Sequence, residues 1–314
     1  YSIDVIQPEK IEFKQNSYED GENSIISFPE FLLLVLDVCT GGEQPASHYQ
    51  PDKLIEKFDA LKTYFTAGEF YEKMLYYRLL LDYYTIRRDI KDGQGNYSLI
   101  LKGPKDDSDK LKQYQSMLYV STEAFYNWLK PYLRKLEQDE LHSCAEMLAF
   151  LKKGDNERHS ILPARKDLSY KASGNIRYWF WRLDYYLWEQ RSTFFNEEEQ
   201  KIVEHYVFRR NRSIEHLHPQ DESHNEEWEE EAVHSFGNLA MISQSFNSQQ
   251  SNDHIQIKFA RIHEQISNKS LQSIKMFLMC KLADFNYQNW TMKLAKEHEN
   301  EMIEFLERSF YISD

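Results

Sequence analysis

Hydrophobic positions recur at helical spacing along most of the chain. The apolar run Phe31 to Val38 follows Ser27 and Pro29, which suit an N-cap and a first helical turn. Apolar residues three and four positions apart predict further helices at about 51–61, 69–89, 109–120, 122–136, 139–153, 175–190, 271–283 and 290–310. Residues 97–101 predict a short extended segment. The expected fold class is therefore mainly α.

A glycine-containing polar stretch near the middle of the chain predicts a break in this pattern. Residues Lys153 to Asn156 are expected to form a loop. We place a domain boundary there, between a helical domain at 1–155 and a second domain at 156–314.

The predicted helix at 175–190 is unusually aromatic. It contains Tyr178, Trp179, Phe180, Trp181, Tyr185, Tyr186 and Trp188. Such a stripe packs a hydrophobic core or provides a platform on which bases stack. We favour the core, because stacking platforms are usually exposed on sheets or loops.

Residues 202–262 depart from helical periodicity. Glu215 and His216 lie in a short apolar strand that ends at Pro219, and an acidic loop follows at 221–231. The turn Phe236-Gly237-Asn238 then leads into a second apolar strand. Asn247 comes next, and a polar helix is expected from about residue 251. The predicted order is strand, long loop, strand and helix.

Composition narrows the classes of function. Lys and Arg total 38, Asp and Glu total 51, and the formal net charge is −13. This balance argues against a sequence-independent nucleic-acid coat or a basic membrane-surface module. The longest apolar run, at 31–36, is too short to span a bilayer. Three widely spaced cysteines disfavour a disulfide framework and fit a reducing cytoplasm.

The segment Ile214-Glu215-His216 to Gln220, the Gly237-Asn238-Leu239 turn and the downstream Asn247 resemble an HNH, or ββα-metal, nuclease motif. The similarity is to the C-terminal domain of GmrSD-type restriction endonucleases. It implies a ββα-metal core at about 202–265, inserted among helices. Residues 24–33, 115–118 and 183–185 resemble the helical region upstream of this nuclease, and 273–275 and 298–302 resemble its closing helices.

The resemblance implies a role for each motif residue. His216 would be the general base, Asn238 would orient it, and Glu215 and Asn247 would hold Mg²⁺ or Mn²⁺; His218 and Gly237 would support the site. The chemistry suits these residue types, since Mg²⁺ prefers oxygen ligands and a neutral imidazole accepts protons near pH 7. Glu215 and His216 start on opposite faces of a strand, so a bulge or twist is expected to re-aim one of them.

Basic residues around the motif are candidates for contacts with DNA phosphates. Arg209, Arg210 and Arg212 precede the catalytic strand, and Lys258 lies on the following helix. A solvated basic turn explains the arginines equally well. The remaining histidines of the region, His205, His224, His234 and His254, have no partner pattern and are expected on the surface or in loops.

These observations predict a metal-dependent endonuclease that nicks or cleaves DNA within a prokaryotic restriction or anti-phage defence protein. The alternative is a non-catalytic module that binds DNA or docks a partner in such a system. RNA cleavage ranks lower, since no RNA-recognition motif is present. The resemblance also implies a partner region, a nucleotide-binding part of the same protein preceding Tyr1. No membrane is expected as a partner, and self-association is left open.

Overall fold

The protein is mainly helical, as predicted. The computed structural model describes residues 22–90, 97–106, 108–121, 123–210, 212–220, 228–243, 255–271 and 273–312. Its helices are α1 Phe28–Cys39, α2 Leu54–Leu61, α3 Ala67–Tyr84, α4 Ser108–Val120, α5 Phe125–Glu137, α6 Cys144–Arg158, α7 Ile176–Glu189, α8 Arg191–Phe194, α9 Glu197–Glu204, α10 Glu230–Val233, α11 Ile255–Ser267, α12 Ile274–Leu282 and α13 Met292–Arg308. None of the helices in these ranges is long and apolar enough to cross a membrane.

A small antiparallel sheet interrupts the first helices. It pairs β1 Glu22–Ser24 with β2 Arg87–Ile90, and β2 with β3 Tyr97–Ile100. The helix predicted to reach residue 89 therefore ends at Tyr84, and its last part is a strand. A tertiary contact explains the difference: the Gln115 amide donates to the carbonyl of Tyr84 and accepts from the backbone N–H of Ile86. These two bonds satisfy the backbone where helix changes to strand.

Helix α6 overturns the loop predicted at 153–156. It begins at a capping box in which Ser143 and Glu146 satisfy each other's backbone N–H groups, and it continues to Arg158. Gly154 is tolerated inside it. Asp155 is fully buried, accepting hydrogen bonds from Tyr114 and Tyr178 and pairing with Arg182 at 3.2 Å. The division into domains at residue 155 stays a prediction.

Helix α7 is the centre of the main hydrophobic core. The seven aromatic side chains at 178–181, 185, 186 and 188 are all at most 5% exposed. The core interpretation is therefore confirmed, and no face of these residues is left for stacking a base. Helices α4, α12 and α13 pack against α7.

The candidate motif forms a hairpin beside this core. Strand β4 Arg212–His216 pairs antiparallel with β5 Leu239–Ser243, in a regular register from Arg212 opposite Ser243 to His216 opposite Leu239. Residues 236–238 form a 3₁₀ turn before β5, and α11 follows the hairpin. The predicted order of strand, strand and helix is thus present. A second core of Leu217, Ala240, Ile242, Phe259, Ile262 and Met279, among others, fills the space between hairpin, α11 and α12.

Gly237 fixes how the turn before β5 docks on α13. A Cβ atom at this position would lie 2.1 Å from the carbonyl oxygen of Ala295 and 2.8 Å from Cβ of Glu299. The first contact is with helical backbone, which cannot move away cheaply. Glycine is required here because the turn and the helix approach too closely for a side chain.

We expect Gly237→Ala to lower the free energy of unfolding by about 1–3 kcal/mol, the usual cost of overpacking. Thermal or urea unfolding measures it. Gly68→Ala in α3 is the matched control, since its Cβ would meet only the Thr66 hydroxyl at 3.9 Å. That variant should be neutral or slightly stabilised because alanine favours helices. Equal stability of the two variants would contradict the close approach at residue 237.

Candidate active site

Glu215 and His216 are neighbours in β4, and their side chains lie on opposite faces of the hairpin. The Glu215 carboxylate meets Lys258 of α11, whereas the His216 ring meets Tyr170 and His234. The β4–β5 pairing is regular through both residues, so the predicted bulge is wrong. The two functional groups therefore act on either side of the strand end.

Lys258 binds both Glu215 and His216 at the end of the strand. Its ammonium donates to Oε1 of Glu215 at 2.5 Å and to the backbone carbonyl of His216 at 2.7 Å. The lysine is 3% exposed and Glu215 is 8% exposed. Burial weakens solvent screening, so this charge-assisted contact holds the carboxylate in one orientation. Lys258 was expected to contact DNA; instead, its ammonium is committed to the strand that carries the site.

The imidazole of His216 has a partner at each ring nitrogen. Nε2 lies 3.1 Å from Nδ1 of His234, and Nδ1 lies 2.9 Å from the side-chain nitrogen of Gln220. An amide NH₂ group only donates, so Nδ1 of neutral His216 is the acceptor. The ring proton then resides on Nε2 and is donated to His234. This tautomer leaves the Nδ1 lone pair facing the exposed Gln220 side chain.

His216 is neutral in this environment. Burial is the main cause that lowers its pKa to about 3. Repulsion from positive charge on His234, Lys258 and His218 also contributes to this lowering. Burial also lowers the pKa of His234, with a further contribution from Lys171. The pair is uncharged near neutral pH, which a proton acceptor requires.

Tyr170 covers both histidines. Its ring centroid is 4.5 Å from that of His216 in an edge contact and 5.8 Å from that of His234 in a stacked one. Its backbone N–H donates to the carbonyl of His234 at 3.0 Å. The tyrosine is 43% exposed, so it forms the boundary between the histidine pair and the surface.

Asn238 is fully buried and its side-chain amide makes four hydrogen bonds. The NH₂ group donates to the carbonyls of His218 and Val233, both at 2.9 Å. The oxygen accepts from the backbone N–H of His218 at 2.8 Å and from the Trp290 indole at 3.1 Å. The amide thus binds three separate segments, one of which directly follows His216.

His218 sits beside this amide and takes part mainly through its backbone. Its ring stacks on Trp228 with centroids 4.1 Å apart and planes within 5°. The side chain is 4% exposed. This placement agrees with a supporting position rather than a ligand on an open surface.

Lys275 of α12 lies beneath the turn that carries Asn238. The side chain is fully buried, and Nζ donates to the carbonyl of Leu239 at 2.7 Å and approaches that of Gly237 at 3.4 Å. Burial lowers its pKa to about 7, although the charges of Asp184 and Glu299 oppose the shift. Lys275 therefore supports the turn from the core side.

The arginines before β4 are engaged by protein carbonyls. Arg210 donates from Nε and Nη2 to the carbonyl of Tyr119, and its guanidinium lies 4.0 Å from the Tyr119 ring centroid. Arg209 donates to the carbonyl of Tyr97 at 3.3 Å. Arg212 contributes its backbone to β4, and its side chain lies outside the described part. Contacts of these arginines with DNA stay a prediction.

The described residues fit only part of a metal site. Asn247 lies outside them, and no group of three or more His, Cys, Asp or Glu side chains in the described ranges could hold an ion. Glu215 offers Oε2, which has no hydrogen bond to the described residues. Mg²⁺ keeps several of its waters and commonly takes one or two carboxylates plus substrate phosphate oxygens. One buried, oriented carboxylate is compatible with that requirement.

The structure also reveals residues that sequence reasoning missed. His234 was expected on the surface or in a loop, without a partner. It does lie in the turn after α10, but it is 8% exposed and hydrogen-bonded to His216, so the expectation that it has no partner is wrong. Its position just before the turn at 236–238 was the available signal, because antiparallel pairing brings that segment back past the end of β4. Tyr170 is 46 residues before His216 and gave no signal. His205 is exposed as expected, and His224 and His254 lie outside the described residues.

The fold and site together define a helical protein with a carboxylate–imidazole pair at the end of a buried hairpin. Residues 155–305 match the family described as GmrSD restriction endonucleases, C-terminal domain. The predicted resemblance is thereby confirmed over this part of the chain. The family is one of restriction-type nucleases, hydrolases that act on DNA. The likeness at 24–33 and 115–118 lies outside the match and stays a prediction. Comparisons with curated proteins and with solved structures gave no match.

We expect Lys275→Met to remove a pH-dependent loss of stability. The pKa of Lys275 is about 7 in the folded chain and 10.5 in the unfolded one. The unfolded chain thus binds more protons between these values, and stability due to this group rises with pH across the window, by up to about 1.4 kcal/mol per unit. Below pH 7, Lys275 is charged in both the folded and the unfolded chain. The full cost of burying its ammonium then lowers the stability of the fold.

Urea unfolding at pH 7.5 and 9.5, values chosen roughly within that window, measures the effect. Wild-type stability should rise relative to the methionine variant, which has no titrating group at 275. A constant difference between the two proteins would mean that Lys275 stays charged in the fold. Lys53→Met, at an exposed position, retains Lys275, so its stability should rise with pH in parallel with that of the wild type.

Proposed function

We propose that the chain is a metal-dependent HNH endonuclease that nicks or cleaves DNA, acting within a prokaryotic restriction or anti-phage defence protein in the cytoplasm. The observation that carries the proposal is His216, a neutral imidazole in a fixed tautomer, which directly follows the buried Glu215 in β4 within a segment that matches a restriction endonuclease family.

His216 is the general base in this proposal. The attacking water displaces the exposed Gln220 amide from Nδ1. Nδ1 then takes the proton of this water as it attacks the phosphodiester, while Nε2–H remains bonded to His234. A pKa of about 3 keeps the imidazole free of a proton in the resting enzyme. The negative phosphate of bound DNA favours the imidazolium, so the proton affinity of His216 rises when substrate is in place.

Glu215 and Asn247 would hold the ion, Mg²⁺ or Mn²⁺. When bound, the ion supplies a Lewis acid that neutralises phosphate charge and stabilises the leaving alkoxide. Lys258 fixes the Glu215 carboxylate through Oε1 and leaves Oε2 for this task. Asn238 and Gly237 hold the chain that follows His216, and His218 belongs to the same support.

His234 is the positioning residue for His216. As an acceptor at Nδ1, it holds the proton of His216 on Nε2 and so presents Nδ1 to water. Tyr170 limits rotation of both rings by contact with their faces and edges. Such outer partners orient a functional histidine and fix its tautomer.

We expect His216→Ala to lower the rate of DNA cleavage by at least about 10²–10⁴-fold, the contribution of a positioned general base. Cleavage of plasmid and linear DNA with Mg²⁺ measures it, and thermal unfolding verifies the fold. His205→Ala is the control, because this histidine is exposed and its ring bonds, among the residues that the structure describes, only to the carbonyl of Lys201 one turn earlier. Full activity of a folded His216→Ala protein would exclude the assigned role.

We expect His234→Asn to keep most of the activity and His234→Gln to lose about 10–100-fold, the usual effect of removing an outer partner. Asparagine places its amide near the position of Nδ1, whereas glutamine places it near Nε2. Single-turnover cleavage under saturating DNA measures the rate, and KM is compared separately. Equal rates for the two variants would show that the 3.1 Å contact does not set the geometry of His216.

A non-catalytic module that binds DNA or docks a partner is the second candidate. Chelation separates the two functions: EDTA should stop cleavage and added Mg²⁺ or Mn²⁺ should restore it, whereas docking alone should be indifferent to both. Competition between DNA and RNA substrates tests the choice of nucleic acid.

A further inference from the structure

Two of the four predicted phosphate contacts are used inside the protein, which raises the question of where a DNA strand meets this site. Lys258 is buried against Glu215, and Arg210 is held on the carbonyl and ring of Tyr119. A nuclease still needs positive charge at the backbone flanking the bond it cleaves.

A cleft of about 420 Å³ opens beside β4. Tyr170 and Gly174 line one side, and Ser213 and Ile214 of β4 line the other. Tyr170 is the same residue whose ring contacts His216. Ile214 precedes His216 by two positions and projects from the same face of β4. The cleft thus leads along the strand to the histidine pair.

Arg177 supplies the charge in this cleft. It lines the cleft from the first turn of α7 and is exposed. It has no hydrogen bond or ion pair to any residue in the ranges that the structure describes. The nearby Lys171, by contrast, is paired with Glu230. An arginine without a carboxylate partner keeps all the N–H donors of its guanidinium for an incoming anion.

We propose that this cleft binds the phosphodiester backbone of the DNA strand next to the scissile phosphate, with Arg177 as the phosphate contact and Tyr170 as the wall towards His216. The inference rests on the proposed nuclease function and names the surface on which its substrate lies. Arginine recognises two phosphate oxygens at once, and tyrosine is a common neighbour of DNA backbone.

Binding can be measured without cleavage in the full chain carrying His216→Ala. A fluorescein-labelled DNA duplex is titrated with this protein, with and without Arg177→Gln, over a series of salt concentrations. Loss of one charge-assisted contact should weaken binding about tenfold. The slope of log affinity against log salt should fall by about 0.9, the value for one phosphate.

Lys53→Gln is the matched control, since it removes one positive charge from an exposed site in another part of the fold. In the active chain, Arg177→Gln should raise KM by about tenfold and leave kcat within about twofold, as expected for a contact made equally before and during reaction. Arg177→Lys should bind DNA more tightly than Arg177→Gln but more weakly than the wild type, because lysine keeps the positive charge and lacks the planar set of donors.

The outcomes separate the two proposals. Cleavage by the wild type, with Arg177→Gln and Lys53→Gln equal in affinity and salt slope, would overturn the cleft and leave the nuclease standing. Binding that depends on Arg177 in a chain that cleaves no DNA would remove the nuclease and retain the cleft. A loss of DNA affinity in Arg177→Gln but not in Lys53→Gln, together with cleavage by the wild type, supports both proposals.

Discussion

The side-chain amide of Asn238 is the constraint on which the site depends. A buried amide is costly unless its donors and acceptor are satisfied, and here all of them are. Each partner belongs to a different segment, so one residue fixes the chain after β4, the end of α10 and the loop before α13 relative to one another. His216 ends β4 directly before the first of these segments, and His234 directly follows the second. Their 3.1 Å contact is therefore a consequence of the clamp.

The opposite orientation of Glu215 and His216 follows from ordinary strand geometry. Alternating side chains in a regular register cannot share a face. Lys258 connects the two sides without a bulge, because one ammonium reaches both the Glu215 carboxylate and the His216 carbonyl. This ammonium holds the carboxylate in place through Oε1, and Oε2 has no hydrogen bond to the described residues. Burial makes the arrangement rigid at the cost of desolvating both charges.

Sequence patterns predicted the helices and the hairpin because these depend on local periodicity and turn chemistry. They failed where a distant partner decides the outcome. Gln115 ends α3 early, and the capping box of Ser143 with Glu146 carries α6 through a glycine. At the site, the resemblance identified the motif residues, which lie close to one another in the sequence. Tyr170 and His234 belong to it only through tertiary packing, which a single sequence does not contain.

The charge of −13 takes on a different meaning when the positive groups are located. Lys258 and Lys275 are buried, and Arg210 is bonded to a carbonyl, so several cations serve the fold rather than a ligand. An acidic protein repels nucleic acid at long range, but screening limits that repulsion to about 8–10 Å at physiological salt. Within this distance the guanidinium of Arg177, which lines the cleft along β4 and is unpaired among the described residues, outweighs remote carboxylates. Repulsion from the acidic surface then shortens encounters with DNA elsewhere on the protein. Only a strand bound in the cleft stays bound.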